Sequence, residues 1–341
     1  MTGLGPRERL AAPVAEIRDV THSRSCSRRL GPEITDKIIA ELEADRVPWV
    51  QPWGSAVAKA SLAMPKNAAT QRQYSGINVL ILWDAVIEHG FSTQNWLTFR
   101  QALRLGGNVR KGERGTTTVY ADRFVPDEER ERAERDGDEP SAIPFLKRFT
   151  VFNTDQCERL PAELTSAPAP VPDGLILPHA EALIAATRAD FRIGGDRAFY
   201  SPAHDFIQVP RPEAYFEPIN WHRTALHELG HWTGHPSRLG RDLSGHFGSP
   251  LYAKEELVAE MTSAFVCASL GIVPTVRHTD YIGSWLEVLR KDNRAIVRAA
   301  SSASKAADYL LAVRLDTGNA LAAATAVDHP DATAGPPVFA G

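Results

Sequence analysis

Residues 220–241, NWHRTALHELGHWTGHPSRLGR, contain the motif that decides the fold, the HExxH of residues 227–231. On an α-helix, positions four apart differ by about 40° of rotation, so His227 and His231 project from one face and can bind a single metal ion. Glu228 lies beside them and is the expected catalytic base, which takes a proton from water. An apolar stripe at helical spacing places the motif on an amphipathic helix. The alternative is a pair of core or helix-terminal histidines.

A catalytic zinc ion takes a third protein ligand, and the sequence offers more than one source for it. Ser237 stands where the longer HExxHxxGxxH pattern has its last histidine, so that arrangement is lost. Downstream, Glu256 and Glu260 lie four residues apart on one face of a predicted helix, with Glu255 pointing away. This spacing resembles the ExxxD of gluzincins, so we predict Glu256 as the ligand and Glu260 as the residue that orients a ligating histidine. The reverse assignment and His246 remain alternatives.

Further features around the motif indicate a zincin-like metallopeptidase domain that binds Zn²⁺ or another divalent metal. Tyr252 comes one turn before Glu256 and is a candidate to stabilise an oxyanion, although a packed or surface tyrosine is the alternative. Residues 205–210, DFIQVP, form a predicted strand that could pair with an extended peptide along the cleft. A protein or peptide is the substrate that this arrangement predicts.

Composition limits the class of protein. The chain has 341 residues, 43% of them hydrophobic, and a formal net charge of −4, so it should fold and has no overall basic excess. Its three cysteines are far apart and outside any CxxC pattern, which argues against a disulfide framework. No secretory signal and no apolar run long enough to span a bilayer is visible. We therefore expect a cytoplasmic protein without a membrane partner.

Two compositional breaks divide the chain. Residues 126–140 contain eight acidic and three arginine residues and no large apolar side chain, which predicts a solvated loop between strands. The proline-rich residues 161–174 predict a linker between two domains. We predict domains at 31–160 and 175–315. Residues 1–30 and 316–341 are predicted to be flexible tails.

The N-terminal domain is predicted to be α+β and carries a local excess of positive charge. Its patterns predict helices over 34–44, 74–86 and 96–105, followed by strands over 116–124 and 145–152. Between residues 59 and 123 the sequence has nine basic and four acidic side chains. This half is therefore basic although the whole chain is slightly acidic.

Basic side chains interleaved with aromatic ones are typical of single-stranded nucleic-acid binding, in which cations neutralise phosphates and rings stack on bases. The alternative is that the aromatic residues are core and the arginines a solvated face. The candidate DNA-binding residues are Trp49, Trp53, Lys59, Lys66, Arg72, Tyr74, Trp96, Arg100, Arg104, Arg110, Lys111 and Arg114. The glycine-flanked Arg110, Lys111 and Arg114 are the best local candidates for contacts with the DNA backbone.

Five segments, in this order, resemble the antirestriction proteins of the ArdC type. They are YSGIN (74–78), WLTFRQALRLGGNVRKGERG (96–115), VFNTDQCERLP (151–161), HELGHWTGHPSRLGR (227–241) and EELVAE (255–260). The family joins an N-terminal single-stranded-DNA-binding domain to a zincin-like metallopeptidase domain. The resemblance implies that the protein coats incoming plasmid DNA during conjugation and protects it from host restriction enzymes.

Two other interpretations stay open. In the first, the chain is a zinc metallopeptidase that acts on a DNA-associated protein, and the N-terminal domain only directs it there. In the second, the metal is structural and the protein is not an enzyme. The acidic segment at 126–140 and the tails have no match in the family.

Overall fold

The computed structural model describes residues 21–44, 46–49, 63–166, 173–273 and 281–327, with the backbone alone for 21–31, 121–124, 143–146, 173–176 and 314–327. Trp53 and Lys59 lie outside the described residues, as do residues 1–20 and 328–341 of the predicted tails and residues 167–172 of the predicted linker. Residues 21–30 and 316–327, predicted as tail, belong to helices.

The described chain combines helices with mainly antiparallel sheets, which confirms the predicted α+β class. The helices are α1 (Thr21–Glu43), α2 (Ile77–His89), α3 (Phe99–Arg104), α4 (Asp127–Asp136), α5 (Ala162–Thr165), α6 (Asp173–Thr187), α7 (Pro218–Trp232), α8 (Pro250–Leu270), α9 (Ile282–Lys291) and α10 (Ala295–Val327). The strands are β1 (Lys66–Asn67), β2 (Asn95–Thr98), β3 (Asn108–Val109), β4 (Thr116–Phe124), β5 (Ile143–Asn153), β6 (Cys157–Glu158), β7 (Asp190–Ile193), β8 (Phe199–Ser201) and β9 (Phe206–Val209). None of the described helices combines the length and apolar character that a membrane span requires.

The described strands form three sheets. The first has the order β1-β2-β5-β4, with β1 parallel to β2 and the other neighbours antiparallel. Strands β3 and β6 form a small antiparallel pair. The third sheet has the order β7-β9-β8, in which β9 is central and β8 lies at an edge.

The predicted helix over residues 96–105 is wrong in its first three residues, which belong to β2. Thr98 has extended backbone dihedrals and caps α3: its side chain accepts a hydrogen bond from the backbone N–H of Gln101, and the Gln101 side chain accepts one in return from the N–H of Thr98. This reciprocal capping box fixes the start of a helix. The apolar WLTF run therefore supplies a strand and only the first residue of α3.

The acidic segment is a helix, not the loop that its composition predicts. Its first turn carries Asp127, Glu128 and Glu129, whose negative charges interact favourably with the positive end of the helix dipole. Arg132 pairs with Glu129 at 2.8 Å, one turn away. Gly137 ends the helix with a φ of 72°, a left-handed conformation that glycine adopts without a steric penalty. Local charge spacing thus stabilises α4, which connects the paired strands β4 and β5.

Helices α1 and α2 pack into the same hydrophobic core as the C-terminal helices. The Trp83 ring of α2 meets Phe265 of α8 edge-on, with ring centroids 5.6 Å apart. Trp49, which follows α1, lies 5.7 Å from Trp285 of α9. The hydroxyl of Thr35 donates a hydrogen bond of 2.7 Å to a backbone carbonyl 258 residues away. The packing of the first two helices therefore depends on the second half of the chain.

The YSGIN segment joins the first sheet to this core. The Asn78 side chain donates to the carbonyl of Val119 in β4 and accepts from its N–H, both at 2.8 Å. The N–H of Gly76 donates to the hydroxyl of Ser304 in α10 at 2.7 Å. Gly76 has φ 60° and ψ −142°, a backbone region that is essentially restricted to glycine. The segment thus fixes β4 against α2 and α2 against α10.

Candidate metal centre and nucleic-acid surface

Helix α7 presents the two histidines of the HExxH motif to helix α8. His227 is buried, the His231 side chain is 12% exposed, and their ring centroids are 4.9 Å apart. Between them, Gly230 faces Ala259 of α8 so closely that a Cβ at position 230 would lie 3.1 Å from the Ala259 Cα. The missing side chain allows the two helices to approach, and this brings a carboxylate of α8 to the imidazoles.

That carboxylate belongs to Glu256, which lies between the two histidines. One of its oxygens is 3.5 Å from Nε2 of His227, and the other is 3.4 Å from Nε2 of His231. Ligands bound about 2.1 Å from a tetrahedral ion lie about 3.4 Å apart, so these donors fit one divalent cation. Glu260 and the exposed His246 do not occupy this position. Among the described residues, His227, His231 and Glu256 are therefore the group that could hold a metal.

Each imidazole also has a carboxylate near its other nitrogen. Nδ1 of His227 is 3.7 Å from Glu260, which places the predicted orienting residue behind this histidine. Nδ1 of His231 is 3.2 Å from Glu255. A carboxylate behind a ligating histidine fixes the ring and its tautomer, leaving Nε2 for the metal.

The prediction that Glu255 points away from the site is wrong. Its side chain is 11% exposed and lies between His231 and the guanidinium of Arg241. Glu255 and Glu256 are about 100° apart around α8, so on helical periodicity they belong to different faces. Both reach the site because the two histidines are one turn apart on α7 and therefore meet different faces of α8.

Charge balance in the cluster favours a cation. Burial disfavours the charged form of His231, but hydrogen bonds to Glu255 and Glu256 outweigh it and hold its pKa well above the usual value. Burial is also outweighed at His227, where Glu256 and Glu260 raise the pKa. The pKa of Glu256 is lowered because its hydrogen bonds to both histidines exceed the effect of burial. The carboxylates thus stabilise positive charge on the imidazoles, and a divalent ion would supply that charge in place of protons.

A cavity of about 290 Å³ opens onto these residues, and Glu228 lines it. Two tyrosines form part of its wall: the hydroxyls of Tyr252 and Tyr281 are 3.1 Å apart. Burial raises the pKa of Tyr252, so this group stays protonated and can donate a hydrogen bond. Sequence reasoning missed Tyr281, which is 29 residues from Tyr252 along the chain.

The strand beside the cavity is β8, and not the strand predicted at residues 205–210. That stretch forms β9, whose two sides pair with β7 and β8 within the third sheet, so β9 cannot pair with a peptide. Phe199 and Tyr200 of the edge strand β8 line the cavity. An extended peptide beside the cavity would therefore meet β8.

In the N-terminal half, the structure corrects two of the predicted DNA-stacking residues. Trp49 and Trp96 are 0% exposed, so their faces are covered by protein. The Trp96 ring contacts Phe91, with centroids 5.9 Å apart. Tyr74 is half-buried. The core interpretation is the correct one for both tryptophans.

The basic residues predicted to bind DNA differ in whether their side chains already have a partner in the protein. Arg110 is 2.8 Å from Glu113, and Lys66 donates to Gln71 at 2.9 Å. Five exposed side chains have no ion-pair partner within the part of the chain that the structure describes: Arg72, Arg100, Arg104, Lys111 and Arg114. Their charges are available to phosphates.

Three exposed aromatic side chains of the N-terminal half were not predicted as stacking residues. Phe99 of α3 is 47% exposed and precedes Arg100. Tyr120 and Phe149, 49% and 44% exposed, share one face of the β4–β5 pair, because Thr118 is opposite Phe149 and Tyr120 is opposite Lys147. The two-residue alternation of a strand could have identified this face. We call Phe99, Tyr120 and Phe149 the exposed ring set.

Two family models match the chain in succession. The model of the N-terminal domain of anti-restriction factor ArdC matches residues 29–152, and the model of a zincin-like metallopeptidase matches residues 178–302. The predicted combination of an ArdC-type region with a zincin-like region is therefore confirmed.

Solved structures and curated relatives agree with these matches. The metal-free crystal structure of antirestriction protein ArdC from plasmid R388 is 37% identical, with a TM-score of 0.69 over 84% of this chain and 98% of that one. Its Mn(II)-bound structure has a TM-score of 0.68 and the same identity and coverage. An uncharacterized protein, y4eC, of Sinorhizobium fredii is 38% identical over 83% of this chain and 92% of its own length. DNA primase TraC of Escherichia coli is 37% identical over 82% of this chain, which corresponds to 27% of that primase.

Proposed function

Because this chain belongs to the ArdC-type family of antirestriction proteins, we propose that it binds single-stranded DNA in the cytoplasm and protects the incoming DNA of a mobile element from host restriction. The observation that carries the proposal is the group of exposed cations without ion-pair partners among the described residues. Unpaired cations bind phosphates by releasing condensed counterions. The exposed ring set offers surfaces on which bases can stack.

The second half of the chain supports a divalent metal site, for which we propose Zn²⁺, with Mn²⁺ as the ion present in a related structure. His227, His231 and Glu256 would hold the ion. When bound, such an ion polarises a carbonyl group and lowers the pKa of water toward neutrality.

Three features around this site support peptide hydrolysis as its chemistry. Glu228 lines the cavity and would accept a proton from the attacking water and later return it to the leaving amine. The hydroxyl of Tyr252, which can accept a hydrogen bond from Tyr281, would donate one to the developing oxyanion. The edge strand β8 would align an extended peptide through backbone hydrogen bonds.

These features favour one alternative function, a metallopeptidase that acts on a DNA-associated protein. In this case the N-terminal half only brings the enzyme to DNA. The buried position of Glu228 beside the two histidines supports the alternative, because a structural metal site needs no such base.

DNA binding is tested by measuring how affinity for a fluorescently labelled oligothymidine depends on salt. The test variant replaces four exposed cations with alanine: Arg100, Arg104, Lys111 and Arg114. Each phosphate contact contributes about 0.7 to the slope of log affinity against log salt for single strands, so the slope should fall by about 2.8. The same change in net charge, made at Arg290, Lys291, Arg294 and Arg298, is the control and should leave the slope close to that of the wild type. An unchanged slope in the test variant would refute this surface.

A transfer assay in cells separates the two functions. Plasmid DNA carrying restriction sites enters a restricting host that expresses the wild type, the four-cation variant or Glu228→Gln. The proposed function predicts that the four-cation variant loses protection and that Glu228→Gln keeps it. Loss of protection by Glu228→Gln, with its metal content intact, would instead support the peptidase.

A further inference from the structure

A buried arginine lies behind the carboxylate that contacts His231. Arg241 donates from Nε to one oxygen of Glu255 at 3.0 Å and from Nη2 to the other at 2.7 Å, a bidentate pair. The side chains of both residues are close to nine-tenths buried, at 12% and 11% exposed. Glu255 in turn contacts Nδ1 of His231 at 3.2 Å. A continuous chain of polar contacts therefore runs from Arg241 through Glu255 to one of the three candidate metal ligands.

Further contacts hold the same arginine against the end of α7. Its Nη2 donates to the carbonyl of Gly230 at 2.6 Å, and its Nη1 donates to the hydroxyl of Thr233 at 2.8 Å. Gly234 leaves room for the guanidinium, since a Cβ there would lie 2.9 Å from Nη2 of Arg241. Because its N–H groups are engaged in these hydrogen bonds, the guanidinium of Arg241 has a fixed orientation. Its bidentate pair in turn fixes the orientation of the Glu255 carboxylate.

The neighbouring Arg238 offers an internal comparison. It also lies in the loop after α7, donates to a carbonyl at the end of that helix, that of Trp232 at 2.6 Å, and pairs with an acid, Asp205. Asp205 leads on to the hydroxyl of Tyr200, at 2.8 Å, and not to a histidine. The two arginines therefore stabilise the same loop, but only Arg241 is linked to the candidate metal centre.

We propose that Arg241 is a positioning residue, which fixes the His231 ring through Glu255 and so sets the affinity of the site for its metal. The proposal rests on the metal site of the proposed function. Without the arginine, the Glu255 carboxylate is free to rotate, and the orientation of His231 is no longer fixed. Loss of such an outer contact typically weakens metal binding about 10- to 100-fold.

The test measures the dissociation constant for Zn²⁺ by competition with a chromophoric chelator, on the full-length protein. Arg241→Gln should weaken binding about 10- to 100-fold, and Arg241→Lys, which keeps one charged donor, should recover part of the loss. Arg238→Gln is the matched control and should keep the wild-type dissociation constant. An equal loss in Arg238→Gln would show that loop stability, not positioning, controls the site.

A double-mutant cycle tests the path through the carboxylate. Glu255→Gln alone should weaken Zn²⁺ binding, and adding Arg241→Gln to it should weaken binding by no more than about twofold further, which is the deviation from additivity found even for independent sites. Fully multiplicative losses would overturn the proposal. If Arg241→Gln does not fold, Glu255→Gln with a wild-type dissociation constant overturns it equally. Failure of the metal site itself is distinguishable, because the wild type would then bind no Zn²⁺.

Discussion

Replacing Gly230 with alanine tests whether the close approach of α7 and α8 assembles the metal centre. The new Cβ would lie 3.1 Å from the Cα and 3.2 Å from the carbonyl oxygen of Ala259. Carbon atoms in contact are normally at least about 3.5 Å apart, so the helices must separate by a few tenths of an ångström. The neighbours are backbone atoms, which cannot move aside by changing a rotamer.

Two opposing effects set the size of the change in stability. Alanine in a helix interior is favoured over glycine by about 1 kcal/mol. Overpacking costs about 1–3 kcal/mol, so the free energy of unfolding should fall by between about 0 and 2 kcal/mol. The effect on the metal should be larger, because the histidines belong to α7 and Glu256 to α8. Metal–ligand distances tolerate only about 0.2 Å, so we expect Zn²⁺ affinity to fall about tenfold or more.

The assay combines urea unfolding of the metal-free protein with Zn²⁺ competition. Gly283→Ala is the control: this glycine lies in α9, and a Cβ there would meet no atom within 4 Å. It should stabilise the protein by up to about 1 kcal/mol and leave the affinity unchanged. If Gly230→Ala is as stabilising as this control and binds Zn²⁺ as the wild type does, the helix approach does not control the site.

Three other predictions follow from packing and charge. Because the Trp96 ring is buried, Trp96→Ala should lower the free energy of unfolding by about 3–5 kcal/mol and leave the salt slope of DNA binding unchanged. If the variant instead bound DNA more weakly and kept its full stability, Trp96 would be a stacking residue after all. A fragment of residues 31–160 should show no cooperative transition by circular dichroism, because it leaves the core faces of α1 and α2 uncovered, and a sharp transition would contradict the shared core. Arg238 lowers the pKa of Asp205 in the folded protein. The ionised Asp205 therefore stabilises the fold at pH values above its unfolded-state pKa of about 3.9, and this stabilisation is lost as the pH falls through its folded-state pKa. Asp205→Asn should therefore lower the melting temperature more at pH 7 than at pH 3, and equal losses at both would exclude the linkage.

Local periodicity is the part of the site that sequence could predict. The four-residue spacing of His227 and His231 fixes their common face on any helix, and the same argument applies to Glu256 and Glu260. The position of Glu255 depends on how α7 crosses α8, a tertiary relation that no spacing within one helix contains. Tyr281 reaches the cavity from the start of α9, and its position likewise depends on how the helices pack and not on spacing within one helix.

The fold shows the same division between local and long-range information. Strand β4 follows its predicted limits, because alternation and β-branched residues act locally. The tryptophans Trp49 and Trp96 could be core or surface on composition, and only their tertiary neighbours decide. The helical acidic segment shows that charge spacing can outweigh a composition typical of loops.

The core shared by α1, α2 and the C-terminal helices also limits which chimeras of this chain can fold. Each half contributes one side of the contact between Trp83 and Phe265, so a chimera that exchanges one half alone would set unrelated surfaces against each other. Both halves must therefore be transferred together if their contacting surfaces are to stay complementary. The similarity to TraC covers 82% of this chain and therefore includes parts of both halves.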